Sequence, residues 1–193
     1  MSTQPHTLAR LEEFLVRQRI TMMVNRYEIR ALGPGGGDGE LLAVAQQKRL
    51  AFREQVTFFA DEGRRVTVFS FKARQVMDLG ATYDVLDADG TPIGLFRKDF
   101  AKSLLRSTWH LEAAGVRAEG KERSLPLAVL RRLSDAFPFP FHFDFVDPGG
   151  GLVMSSERAF TLRDRYLVRV PGARIDGRVA AAMAVALDAM QER

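Results

Sequence analysis

Four cations fall within the ten residues "RKDFAKSLLR" (97–106): Arg97, Lys98, Lys102 and Arg106, against the single carboxylate of Asp99, a net of +3. Cations gathered at one point are what an anion-facing surface needs, whether the anion is a phosphate, a nucleic acid or a membrane surface. The plain alternative is a solvated loop, since charge clusters are common on protein surfaces. Just upstream, "DADG" (87–90) has the look of a calcium loop. Its spacing argues otherwise. With Gly90 at the sixth loop position, the first falls on Val85 and the twelfth on Phe96, where carboxylates are required. The same Asp-Gly, flanked by the β-rich runs "TYDVLD" and "TPIGLFRK", is a strong hairpin signal instead, because that turn needs positive φ.

Catalytic chemistry has less to work with. Cysteine is absent, which removes disulfides, zinc thiolate sites and thiol nucleophiles together. The histidines are His6, His110 and His142. His142 and Asp144 share a strand face in "FPFPFHFDFV" (137–146), so a carboxylate could orient an imidazole there. No nucleophile elbow, His-rich metal motif or second acidic partner accompanies them, and a half-exposed polar pair opposite a Phe stripe is the ordinary reading. The Gly-rich "GPGGGDG" (33–39) lacks the Lys-Ser/Thr of a phosphate loop and precedes a strand-like run, so it reads as a hairpin loop. Neither a cofactor nor a metal is expected, and catalytic residues are expected to be none.

A nucleic-acid reading has 23 Arg and interleaved aromatics in its favour. No helix-turn-helix, RNP motif or zinc finger is recognisable, and a net charge of +4 is modest for a protein that tracks phosphates. The excess is local. Residues 1–96 carry 12 basic and 12 acidic side chains, whereas 97–193 carry 16 and 12. Besides 97–106, residues 163–178 hold five Arg against Asp164 and Asp176.

The elements that must position these groups are mostly strands. "ITMMVNRYEIRAL" (20–32), "QVTFFA" (55–60), "RVTVFSFKARQV" (65–76), "STWHLEAAG" (107–115), "GLVMSS", "AFTLRD" and "YLVRV" all have β-favouring composition. "LPLAVLRRLSDAF" (125–137) has leucines at helical spacing and reads as a surface helix. In 137–146 strict alternation places Phe139, Phe141, Phe143 and Phe145 on one face. The last element is a helix preceded by Asp176 as N-cap, and from Val179 to Leu187 it contains no polar residue. A helix apolar all round is buried on every side, so a sheet should curl around it. Nine apolar residues fall short of the ~20 a membrane span needs, and "FLV" is too short for a secretory signal. A single soluble, cytoplasmic domain over 1–193 is the expectation, peripheral to a membrane if it binds one.

Three stretches give the chain a family resemblance. "FLVRQRITMMVNRYEI" (14–29), "YDVLDADGTPIGLFRKDF" (83–100) and "VAAAMAVALDAM" (179–190) are similar to the opening strands, the hairpin and the core helix of the tubby C-terminal-like superfamily. The likeness is to its LURP-one-related and phospholipid scramblase-like branch. The resemblance implies a closed, twelve-stranded antiparallel barrel around a buried C-terminal helix. It also makes 14–18 the first strand, although Leu8, Leu11 and Leu15 have helical spacing. The Cys-rich and Pro-rich regions of animal scramblases are missing, and the phosphoinositide-binding positions of tubby proteins do not align with particular residues. What the likeness implies is a non-enzymatic binding module for anionic phospholipid headgroups or for a partner protein at the membrane surface; the ligand-binding residues expected from the charge cluster itself are Arg97, Lys98, Lys102 and Arg106. A nucleic-acid-binding or regulatory interaction protein using the same patch is the alternative, and no specific nucleic acid is expected.

Overall fold

A computed structural model describes residues 5–20, 24–48, 55–74, 82–99, 108–123, 142–158 and 165–191. A short helix α1 (Pro5–Ala9) leads into twelve strands. These are β1 (Glu13–Ile20), β2 (Val24–Leu32), β3 (Asp38–Lys48), β4 (Gln55–Phe59), β5 (Thr67–Ala73) and β6 (Thr82–Asp87). They continue with β7 (Pro92–Asp99), β8 (Thr108–Ala113), β9 (Val116–Glu122), β10 (His142–Val146), β11 (Leu152–Arg158) and β12 (Arg165–Arg169). A helix α2 (Gly177–Gln191) follows them. Each strand pairs antiparallel with its neighbours in sequence, and β1 pairs with β12, so the sheet closes on itself as a barrel. Closure leaves no terminal strand edge exposed.

Alternation along the strands sends one face of every strand inward. Phe14 and Val16, Tyr27 and Ile29, Phe69 and Phe71, Trp109 and Leu111, and Phe143 and Phe145 are all buried on that face. The bulky wall explains the composition of α2. Val179 through Ala186 are wholly buried, and five of these eight residues are Ala, which lets the aromatic rings approach the helix closely. Phe58 stacks on Phe69 at 4.2 Å, and Phe71, Tyr83, Phe96 and Trp109 continue the run of ring contacts around the wall. Gly120 belongs to the same fit: a Cβ there would collide with the Phe145 ring.

The two ends of the barrel differ. One end carries the tight turns and the start of α2, where Asp176 caps the helix by accepting from the Arg178 backbone N–H at 2.8 Å. Leu8 of α1 is buried against this end. At the opposite end α2 finishes in polar company. Asp188, 5 % exposed, accepts a hydrogen bond from the Tyr27 hydroxyl at 2.5 Å and another from Tyr166, and Gln18 Nε2 donates to the Tyr27 oxygen at 3.0 Å.

Several expectations meet the structure directly. The strand at 14–18 lies within β1, and 87–91 forms the β6/β7 hairpin turn with Gly90 at φ +90°. Asp87 Oδ1 accepts from the Thr91 N–H at 3.0 Å, and Asp89 Oδ1 from the same N–H at 2.9 Å. The run at 20–32 is not one strand: Ile20 ends β1 and β2 begins at Val24. The expected surface helix at 125–137, Phe139, Phe141 and the strand at 159–164 lie outside the described residues.

Candidate functional site

Strand β7 delivers the first two cations of 97–106 to opposite sides of the wall. Arg97 pairs with His110 across β7 and β8, faces outward and is exposed. It has no ion-pair partner among the described residues. Lys98 is in register with buried Trp109, and its ammonium lies over the indole ring, 5.7 Å from the centroid. This is a cation–π distance, with the charge held at the inner rim of the barrel. The structure therefore separates Arg97 from Lys98, because consecutive strand residues alternate in direction. Lys102 and Arg106 lie outside the described residues. Beside Arg97, Asp99 Oδ2 sits 3.2 Å from His110 Nε2.

The second basic stretch, 163–178, is differently disposed. Arg165 pairs with Asp38 at 3.0 Å, Arg169 with Glu13 at 3.0 Å and Glu157 at 2.9 Å, Arg174 with Asp147 at 2.5 Å, and Arg178 with Asp176 at 2.7 Å. Each of these four cations has a carboxylate partner, although Asp38 also serves Arg17 and Glu157 also serves Arg123, and Arg163 lies outside the described residues. Such a cluster holds loops and strands in place and offers little free positive field.

A third cationic site escapes a reading that follows clusters in sequence. On the outward face of β1 and β2, Arg19, Arg26 and Arg30 converge on Glu28 at 3.3, 3.1 and 2.9 Å. Arg19 and Arg26 lie directly opposite each other, an arrangement that repels unless a counter-charge sits between them. Glu28 is that counter-charge, and its side chain is only 1 % exposed. Burial disfavours its charge, but the Arg30 hydrogen bond and the three guanidinium charges outweigh burial and lower its pKa. Alternation was the available signal: "RQR" (17–19) and "RYEIR" (26–30) put these side chains on one face.

The histidine and carboxylate of β10 do not form a pair. Asp144 accepts two hydrogen bonds from Arg123, at 2.7 and 2.6 Å, and Arg123 also reaches Glu157 at 2.9 Å. Asp144 thus serves an ion-pair network. His142 Nδ1 is buried with no hydrogen-bond partner.

A closed antiparallel barrel filled by its own apolar helix, with charge on its wall and rim, defines a helix-cored β-barrel domain of the tubby-like class. A sequence model of the LURP-one-related family matches residues 42–188. The chain belongs to the LURP-one-related family, a member of the tubby-like superfamily. No curated protein and no solved structure gives a significant match. Domains of this family are generally non-enzymatic. No helix among the described residues is long and apolar enough to cross a membrane.

Proposed function

We propose that this domain is a non-catalytic binding module that engages anionic phospholipid headgroups at the end of β7, through Arg97 together with Lys102 and Arg106, with Lys98 adding charge from the inner rim. One observation carries this reading. Arg97 is exposed and lacks an ion-pair partner among the described residues, whereas Arg165, Arg169, Arg174 and Arg178 are each paired with a carboxylate. An unmatched cation keeps its field available to an incoming anion. Each basic residue near an anionic surface contributes about 1 kcal/mol, so four give weak, reversible attachment. Attachment of this kind falls away as salt shortens the screening length.

The test is co-sedimentation with vesicles of phosphatidylcholine containing phosphatidylserine or a phosphoinositide, at low and high salt. Wild-type protein is expected to pellet at low salt and to release at high salt, and an Arg97→Glu/Lys102→Glu double variant is expected to stay in the supernatant. Equal binding by both proteins, or none by wild type at low salt, would remove the lipid reading and make a partner protein the better candidate.

A further inference from the structure

The inner end of the barrel at the C-terminus of α2 is polar where the rest of the interior is apolar. Four neighbouring strands meet there. Gln18 of β1 is in register with Tyr27 of β2, Asn25 lies two residues further along the same face of β2, Tyr166 of β12 is in register with Val16, and Arg158 of β11 with Tyr166. Their inner faces surround Asp188, which both tyrosine hydroxyls already contact. The Gln18 amide is oriented: Tyr27 gives its proton to Asp188, so its oxygen accepts from Gln18 Nε2 and leaves Oε1 pointing elsewhere.

What remains is a deficit of donors. Gln18 Oε1 and Asn25 Oδ1 are buried without hydrogen-bond partners, on residues only 4 % and 6 % exposed. Buried acceptors are nearly always satisfied, and an exception calls for an explanation. Asn25 lies one diagonal step from Gln18 on the same inner face, and Gln18 is joined to the Asp188 carboxylate through the Tyr27 hydroxyl. Their complement is a group that supplies several N–H donors and a positive charge at once, which describes an ammonium group. Water supplies two donors and no charge. We propose that this end of the barrel binds the primary ammonium group of a small amine, held by Gln18 and Asn25 beside Asp188. Arg158 lies on the adjoining strand with its guanidinium 6.0 Å from the centre of the Tyr166 ring, a positive charge beside which a single amine suits the site better than a polyamine. This site is on the inner face and does not depend on the lipid reading of 97–106.

The experiment is thermal unfolding of the full chain with ethanolamine, phosphoethanolamine or ethylene glycol, at constant ionic strength. An amine at ten times its dissociation constant is expected to raise Tm by about 3–6 °C, and ethylene glycol to leave it unchanged. Asn25→Leu removes an unpartnered buried oxygen, so the variant is expected to fold and to lose the amine response; Gln18→Met provides the same test should Asn25→Leu fail to fold. A wild-type shift with either amine that these variants abolish supports the site. Absence of any shift with both amines, or an equal shift in wild type and variants, overturns it.

Discussion

At the scale of single residues, Glu28 does more than its position on an outward strand face suggests. It separates three guanidinium groups and is itself shielded from water. Replacing it with Gln removes the buried charge that Arg19, Arg26 and Arg30 share, leaving exposed Glu62 on Arg26 as the remaining carboxylate, and is expected to cost about 2–4 kcal/mol in urea unfolding. Arg19→Gln should cost under about 1 kcal/mol, because Arg19 is 51 % exposed and Glu28 keeps its other two partners. Gly90 offers a cleaner test of backbone. A Cβ there would meet nothing within 4 Å, so any penalty comes from φ +90° alone. Gly90→Val is expected to lose about 1–3 kcal/mol and Gly90→Asn less, since Asn tolerates positive φ better than a β-branched residue. The Asp-Gly turn was legible because its requirement is local. The placement of Arg97 and Lys98 was half legible: their charge is evident from sequence, but treating them as one cluster neglects the twofold alternation of the strand that carries them. The contact of Lys98 with Trp109 needed the β7/β8 register.

At the scale of elements, α2 was the easiest to anticipate and is the most exacting to change. Ala182 is wholly buried inside the barrel, and Ala182→Asp places an unpaired charge there. Its cost of several kcal/mol is comparable to the total stability of a domain, ~5–15 kcal/mol, so insoluble or unfolded protein is expected on expression. Met183→Leu nearly conserves volume and should shift stability by less than about 1.5 kcal/mol. A native melting temperature for Ala182→Asp would contradict the enclosure of the helix. Strand identity was also readable, through β-branched and aromatic content, but strand limits were less so. The stretch 20–32 has no Gly, Pro, Asp or Ser where β1 gives way to β2, and composition alone therefore joined the two. Strand β10 is the reverse case: alternation in "HFDFV" put Phe143 and Phe145 on one face, and that face is the buried one. The bond between Arg123 and Asp144 stayed hidden because it joins residues 21 apart.

At the scale of the whole molecule, the carboxylates set the acid limit. Glu28 and Glu157 are partly or wholly shielded. Burial opposes the charge of Glu157, but Arg123 and Arg169 prevail, so both groups have lowered pKa values. Asp89 is lowered to about 2, chiefly by its hydrogen bond with Asp87 and then by Thr91, and Arg174 lowers Asp147. A carboxylate with a lower pKa folded than unfolded stabilises the fold fully above its unfolded pKa, here 3.8 for Asp and 4.5 for Glu. That contribution disappears as pH falls through the folded pKa. Tm is therefore expected to be flat from about pH 6 to 8 and to fall between about pH 4.5 and 2. Glu28→Gln should flatten part of that fall; an unchanged acid profile in this variant would show that Glu28 titrates normally.

The helix that fills the barrel comes after all twelve strands in the chain, and Tyr27 meets Asp188 across 161 positions of sequence. The ribosome therefore releases every aromatic inner face before releasing the element that covers them. At ~5–20 residues per second, synthesis of a chain this long takes roughly 10–40 s, during which the hairpins can form but the interior has no filling. Closure of β1 onto β12 and entry of α2 are both long-range events, the kind that slows folding most. The nascent chain is thus an open, sticky sheet for most of its synthesis. A ribosome-stalled chain halted before Asp176 emerges should accordingly be captured by a holdase chaperone and cut readily by protease, and should lose both properties once α2 has cleared the exit tunnel.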